Sequence, residues 1–383
     1  NAVASTRPTD AVAWFGRLAA NFRCLSVSQG EIGPEALMTR KKLGIFGAAC
    51  IGLLAVSAAA TPSATTKTPD SYARPGKRIV IGQGRGLNLR CRGKGPVTVL
   101  LEAGSHADSS NWFRVQPMLA QHARVCAYDR AGYGFSDEGP LPRGLDADVS
   151  DLHALIDAAG LHTPLVLVGH SLGTNIVRRY AGVHPDDVAA MVLVDPPAQD
   201  LGHFLPAQWM KDDATTASQR DAFIGRCEQG AERNELASPP PALAGCIGGP
   251  APWESAKVAA ANRARKLRPA FWHTLRSELA QNTRIFAPPV PEGESHGDMP
   301  LVVLRASDTY ADAPADVRQE LESARRETQR RIVATSTRGE LQMVADSSHD
   351  IELDQPRAVV DAVTHVLAEL APAHAVPATA TTR

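Results

Sequence analysis

The chain has 383 residues, of which 44% are hydrophobic and 21% charged, with a formal net charge of −1. This is a globular composition, long enough for one large domain with an insertion, and its charge gives no general pull toward nucleic acid or acidic membranes. The six cysteines show no CxxC spacing, so no zinc or other metal site is expected.

Asn1 to Leu37 (residues 1–37) has little periodicity and reads as an upstream segment outside the mature fold. From Met38 the chain runs MTRKKLGIFGAACIGLLAVSAAATPSATTKT, a basic start, an apolar core and small residues ending at Ala60. Residues 38–60 therefore read as a signal peptide, with an uncleaved membrane anchor over 43–60 as the alternative. Residues 61–77 read as a Thr/Pro/Ser linker and 371–383 as a tail, both expected to be disordered. An exported protein, periplasmic or secreted, permits disulfides, and Cys91, Cys126, Cys227 and Cys246 allow three connectivities.

Leu87 to Arg92 alternates like a strand, and Val97 to Leu101 is an apolar strand running into Glu102-Ala103-Gly104-Ser105-His106. A helix is expected from about Trp112 to Gln121, and Val125 to Tyr128 is the next strand, ending in Asp129-Arg130. Leu145, Val149, Leu152, Leu155 and Ile156 mark an amphipathic helix. The strand Leu165–Val168 then meets Gly169-His170-Ser171-Leu172-Gly173, followed by Ile176, Val177 and Tyr180 at helical spacing. Strand, G-x-S-x-G, helix is the context of a nucleophile elbow, which projects a serine hydroxyl from a tight turn at a helix N-terminus.

After the strand Met191–Val194, ending at Asp195, no short apolar strand recurs until Leu301. The stretch of about 196–299 instead carries proline clusters, helical patterns and three of the five tryptophans, Trp209, Trp253 and Trp272. The rhythm resumes with Leu301–Leu304 before Asp308, a charged helix over about Ala315–Arg331, a strand at Leu341–Val344, then His349, and a closing helix over Pro356–Leu370. Alternating strands and helices predict a mostly parallel sheet covered on both faces.

Four landmarks, LLEAGS, YDRAGYGFSD, GHSLG and SHDIELDQP, stand in the order found in the α/β-hydrolase superfamily, which residues 78–370 resemble. Ala103-Gly104 departs from the His-Gly of many members. The resemblance implies an eight-stranded α/β sheet with a helical cap over the site. It also implies Ser171 as nucleophile, His349 as base and Asp308 as the acid orienting it, with the N–H groups of Leu172 and Ser105 as oxyanion hole. Asp195 is the rival acid, although its Pro-Pro successor suits a cap entry better. The family's strand order would put Cys91 beside Cys126; Cys227 and Cys246 both lie in the insertion and would clip a local loop there.

His170 reads as packing or polar support, and Asp129 and Arg130 as braces for their turn. His106, with the three cap tryptophans, forms a candidate pocket lining; the tryptophans suit the cap's own core equally well. Glu102, in an apolar strand, needs a partner if it is buried. The expected activity is hydrolysis of a small-molecule carboxylic ester through an acyl-enzyme, without cofactor. Cleavage of amides, as in iminopeptidase-like members, cleavage of C–C bonds, and a non-enzymatic ligand-binding role remain open. A cap carboxylate free to meet a substrate amine would favour the peptidase.

Overall fold

The computed structural model describes residues 67–370. The segments expected as upstream sequence, signal peptide, start of the linker and tail lie outside the described residues. Eight strands form one sheet: β1 (Lys77–Val80), β2 (Gly86–Arg92), β3 (Thr98–Glu102), β4 (Arg124–Tyr128), β5 (Leu165–His170), β6 (Val188–Val194), β7 (Leu301–Ala306) and β8 (Gly339–Val344). Their order is β1-β2-β4-β3-β5-β6-β7-β8. The pairs β1–β2 and β2–β4 are antiparallel, and the remainder parallel. The main helices are α1 (Val115–Leu119), α2 (Leu145–Ala159), α3 (Leu172–Val183), α4 (Ala207–Glu232), α5 (Ala256–Lys266), α6 (Pro269–Phe286), α7 (Ala315–Val333) and α8 (Pro356–Leu370).

The two-residue period of a strand divides the core. Leu100, Leu167, Leu193 and Val303 face one layer, where Leu152, Leu155 and Ile156 of α2 and Ile176, Val177 and Tyr180 of α3 meet them. Val99, Leu101, Val166, Val168, Val192 and Leu304 face the other, against Val115 and Leu119 of α1 and Val359, Val363 and Val366 of α8. Strands β3, β5 and β7 are buried at every position, as continuous apolar runs between two helical layers should be. Each such side chain contributes about 1.5–3 kcal/mol relative to exposure, so the strand ends that carry the candidate site rest on a rigid platform.

Between β6 and β7 the described residues are helical or irregular. Helices α4 and α6 pack on one another, with Ile224, Cys227, Leu236, Cys246, Trp272 and Leu275 forming a separate small core. Cys227–Cys246 closes this cap, and Cys91–Cys126 joins directly opposed residues of β2 and β4. Cys91–Cys126 is the pairing the resemblance implied, and Cys227–Cys246 the one expected within the insertion.

Two expectations need correction. The linker is packed from Lys67 onward: Thr68 N–H donates to Trp253 O at 2.7 Å, Asp70 pairs with Lys257 at 2.8 Å, and buried Tyr72 donates to Gln116 at 3.0 Å. Tyr72 gives this segment an anchor that Thr/Pro/Ser composition conceals. The helix expected over Trp112–Gln121 is instead a 3₁₀ turn at Ser109–Trp112 followed by α1.

Candidate active site

Ser171 joins β5 to α3 with φ 50° and ψ −120°, a strained conformation for a residue with a Cβ. The flanking glycines let the chain pass. A Cβ on Gly169 would lie 2.5 Å from Gly173 O, and one on Gly173 would lie 2.7 Å from Glu102 O. Ser171 N–H donates to Val194 O at 3.1 Å and Thr174 Oγ1 donates to Ser171 O at 2.7 Å, fixing the turn to the end of β6. The elbow expected from GHSLG is therefore present, with Leu172 as the first residue of α3.

One residue beyond Val194 is Asp195, and here the expected acid is overturned. His349 Nδ1 donates to Asp195 Oδ2 at 2.8 Å. Asp195 is fully buried and also accepts from Thr309 Oγ1 at 2.6 Å, Arg325 Nη1 at 2.7 Å, and Gln329 Nε2 and Ala306 N–H at 3.3 Å. Asp308 lies exposed, two residues past the end of β7, and its carboxylate accepts from neighbouring Ser307 Oγ. The strand stops too early for Asp308 to face inward, whereas the sheet delivers Asp195 to the histidine.

Burial alone would raise the Asp195 pKa, but the bond from His349 and the Arg325 charge outweigh it and bring it to about 2. Burial likewise pulls His349 down, yet Asp195 more than compensates and leaves the imidazole above its ordinary 6.5. With Nδ1–H directed at Asp195, the free lone pair of neutral His349 is on Nε2.

The loop Ala103–His106 follows β3 and closes over the elbow. A Cβ on Gly104 would lie 3.0 Å from His170 Nδ1 and 3.3 Å from Ser171 Cβ, which explains a glycine at that place. The loop is held from two sides. Arg130 donates to Ala103 O at 2.7 Å and Gly104 O at 2.6 Å, and forms ion pairs with Glu102 at 2.7 Å and with Glu278 of α6 at 3.0 Å. Glu278 Oε1 in turn accepts from Ser105 Oγ at 2.5 Å and His106 N–H at 2.9 Å.

Arg130 and the Tyr128 hydroxyl are thus the partners Glu102 required. Burial raises the Glu102 carboxyl to about 7 against their opposition. Arg130 therefore braces the loop after β3 as well as its own turn. Asp129 serves its turn as expected, accepting from Phe135 N–H at 2.8 Å and Ser109 N–H at 2.9 Å.

The tryptophans divide among other tasks. Trp272 is fully buried in the cap core and donates Nε1–H to Lys266 O at 2.8 Å. Trp253 packs with Tyr72, Phe113 and Val258, while Trp209 packs with Leu205, Tyr310 and Val317. Trp272 thus takes the second of the two roles expected, in the cap's own core, while Trp209 and Trp253, both half-buried, pack against Tyr310 and Tyr72 outside it. His106 follows the loop as expected, with φ 49°, and burial lowers its imidazole below the ordinary range. Sequence reasoning missed Glu278, Thr309, Arg325 and Gln329; each reaches its partner from a distant segment, and no local pattern marks it.

A family-wide sequence model described as the alpha/beta hydrolase fold matches residues 97–232. The lipase LipV of Mycobacterium tuberculosis is 39% identical over 102 residues, 27% of this chain and 38% of that protein. N-formylmaleamate deformylase of Pseudomonas putida is 34% identical over 115 residues, 30% of this chain and 42% of that protein. These matches span less than half the length of either relative. Among solved structures, the epoxide hydrolase CorEH has a TM-score of 0.55 at 17% identity, with 77% of this chain and 98% of that chain covered, a likeness of fold.

Proposed function

We infer, for a chain that belongs to the α/β-hydrolase superfamily, a serine hydrolase that cleaves carboxylic esters through an acyl-enzyme. The observation that carries this reading is the 2.8 Å bond from His349 Nδ1 to buried Asp195, made beside a serine in an elbow conformation. Asp195 holds the tautomer in which Nε2 accepts the Ser171 proton as Oγ attacks the ester carbonyl. The oxyanion that forms is met by the N–H groups of Leu172 and Ser105, each worth about 3 kcal/mol in such a site. His106 N–H is already held by Glu278, so Ser105 is the loop donor of choice. The imidazolium then gives its proton to the leaving alcohol, and water repeats the sequence to release the acid.

The state of Glu278 favours an ester over a peptide with a free amine. This cap carboxylate is paired with Arg130 and bonded to Ser105 and His106, which leaves it committed to the loop. The two disulfides support the reading of an exported protein. The test is labelling with a fluorophosphonate located by peptide mass spectrometry, together with hydrolysis of p-nitrophenyl esters of graded chain length. Labelling at Ser171 with turnover is expected. A folded sample that neither labels nor turns over refutes the reading.

A further inference from the structure

His170, the last residue of β5, stands at the junction of every part of the proposed site yet has no part in the proton transfers above. It precedes Ser171, and its ring packs on Gly104 of the oxyanion loop. Its Nε2 lies 3.0 Å from the backbone oxygen of His349, and the two imidazole rings are 4.8 Å apart. A carbonyl only accepts, so Nε2 carries the hydrogen. On the other side, Nδ1 lies 3.3 Å from Oε1 of Glu352, a fully buried carboxyl in the short helix Ile351–Asp354; both atoms are buried and neither has a formed hydrogen bond, so two orphaned polar groups face each other.

We propose that Glu352 is a positioning residue: its carboxyl donates to His170 Nδ1, which locks the Nε2–H onto the His349 carbonyl and sets the loop carrying the base. The proposal rests on the serine-hydrolase reading for its kinetic consequence, but its geometry is independent of that reading. Only a carboxyl that keeps its proton can donate, and the surroundings favour this. Burial, then the nearby Asp350 and Asp354 carboxylates, push Glu352 well above the ordinary carboxylate range, outweighing the opposing pull of the backbone and of Asn111 in the turn at Ser109–Trp112. His170 is surrounded by His349, Asp350 and Asp195; burial and the His349 charge hold it down to about 4. A neutral imidazole with Nε2–H and a protonated Glu352 place one hydrogen in each gap.

The experiment is long-range ¹H–¹⁵N NMR of histidines in the protein, Glu352→Gln and Glu352→Leu, with steady-state ester kinetics. His170 in the unmodified protein should be the neutral Nε2–H tautomer from pH 5.5 to 8. Glu352→Gln keeps a donor and should keep that tautomer and nearly full kcat. Glu352→Leu should mix the tautomers and lower kcat about tenfold with KM little changed, as expected for one buried hydrogen bond lost behind the base. A hydrogen on Nδ1 in the unmodified protein overturns the proposal, as do equal rates for the two variants. If the protein does not hydrolyse esters while His170 shows the stated tautomer, the ester reading fails and the hydrogen-bond chain stands.

Discussion

Replacing Asp195 by Asn should reduce kcat by about 10⁴, roughly 5.5 kcal/mol of transition-state stabilisation. The size follows from where the new amide can sit. Oδ1 of Asp195 accepts from Arg325 Nη1, Gln329 Nε2 and Ala306 N–H, three donors that an NH₂ group would oppose. The amide nitrogen is therefore driven to the Oδ2 side, facing Thr309 Oγ1 and His349 Nδ1. There it donates to His349, which must turn Nδ1 into an acceptor and place its hydrogen on Nε2. That tautomer has no lone pair for the serine proton. Because Asn fills the same volume and keeps the Arg325 bond, the fold should survive. The assay is kcat on a p-nitrophenyl ester with thermal melting as the folding control, run beside Asp308→Asn, which should stay within about twofold because that carboxylate is exposed. Retained activity in Asp195→Asn with collapse in Asp308→Asn would refute the pairing.

Three further outcomes follow from the same contacts. Glu278→Ala removes the acceptor of Ser105 Oγ and His106 N–H, so kcat should fall about 10- to 100-fold with a small change in KM; a pure KM effect would mean that the loop does not need this brace. The acidic limb of kcat/KM should lie above pH 6.5, because Asp195 raises His349, and Arg325→Met should move it higher by removing a charge that opposes the imidazolium. A limb that moves down or stays put contradicts that assignment. Glu294, bound by Arg178 at 2.6 and 2.7 Å, is brought to about 2 from an ordinary 4.5 by His296 and Arg178 against the effect of burial. Its stabilisation, at most about 3 kcal/mol, is present above pH 4.5 and lost as pH falls toward 2. Urea unfolding of Glu294→Gln should therefore differ from the parent at pH 7, differ less at pH 3, and converge with it only as the pH approaches 2.

What could be read from the sequence was local. The elbow is legible because strand, glycines and helix are contiguous, although the close approach of Glu102 O to Gly173 and of Val194 O to Ser171 N–H comes from neighbouring strands. The parallel sheet is legible because Leu165–Val168, Met191–Val194 and Leu301–Leu304 are apolar runs that suit burial on both faces. Strand β1 escaped because Ile79 is its one buried residue, which leaves no alternation to detect. The acid escaped for a different reason. Asp195 and Asp308 both follow apolar strands, and the choice depends on β7 ending at Ala306 and on α7 returning Arg325 and Gln329 to the end of β6. Neither fact has a signature at the aspartates. The partners of Glu102 were hidden likewise: Tyr128 ends β4 and Arg130 lies in the turn after it, and only the sheet pairing brings them to β3.

The position of the acid also constrains the cap. Pro196-Pro197 follows Asp195 directly, so the cap begins one residue after a carboxylate held by five donors. Further along the cap, Glu278 of α6 grips the oxyanion loop and Arg130. A swing of the whole cap would pull on the acid at one point and on the loop at the other, disturbing the base and the oxyanion donors together. Substrate entry should therefore use movement of segments away from these ties, such as the middle of α4, because α5 is itself held by Asp70 and Asp108, with the entry of the cap and the Glu278 turn of α6 remaining in place. Such an arrangement couples the site to its cover: a cap displaced at Glu278 would be a cap over an incomplete oxyanion hole.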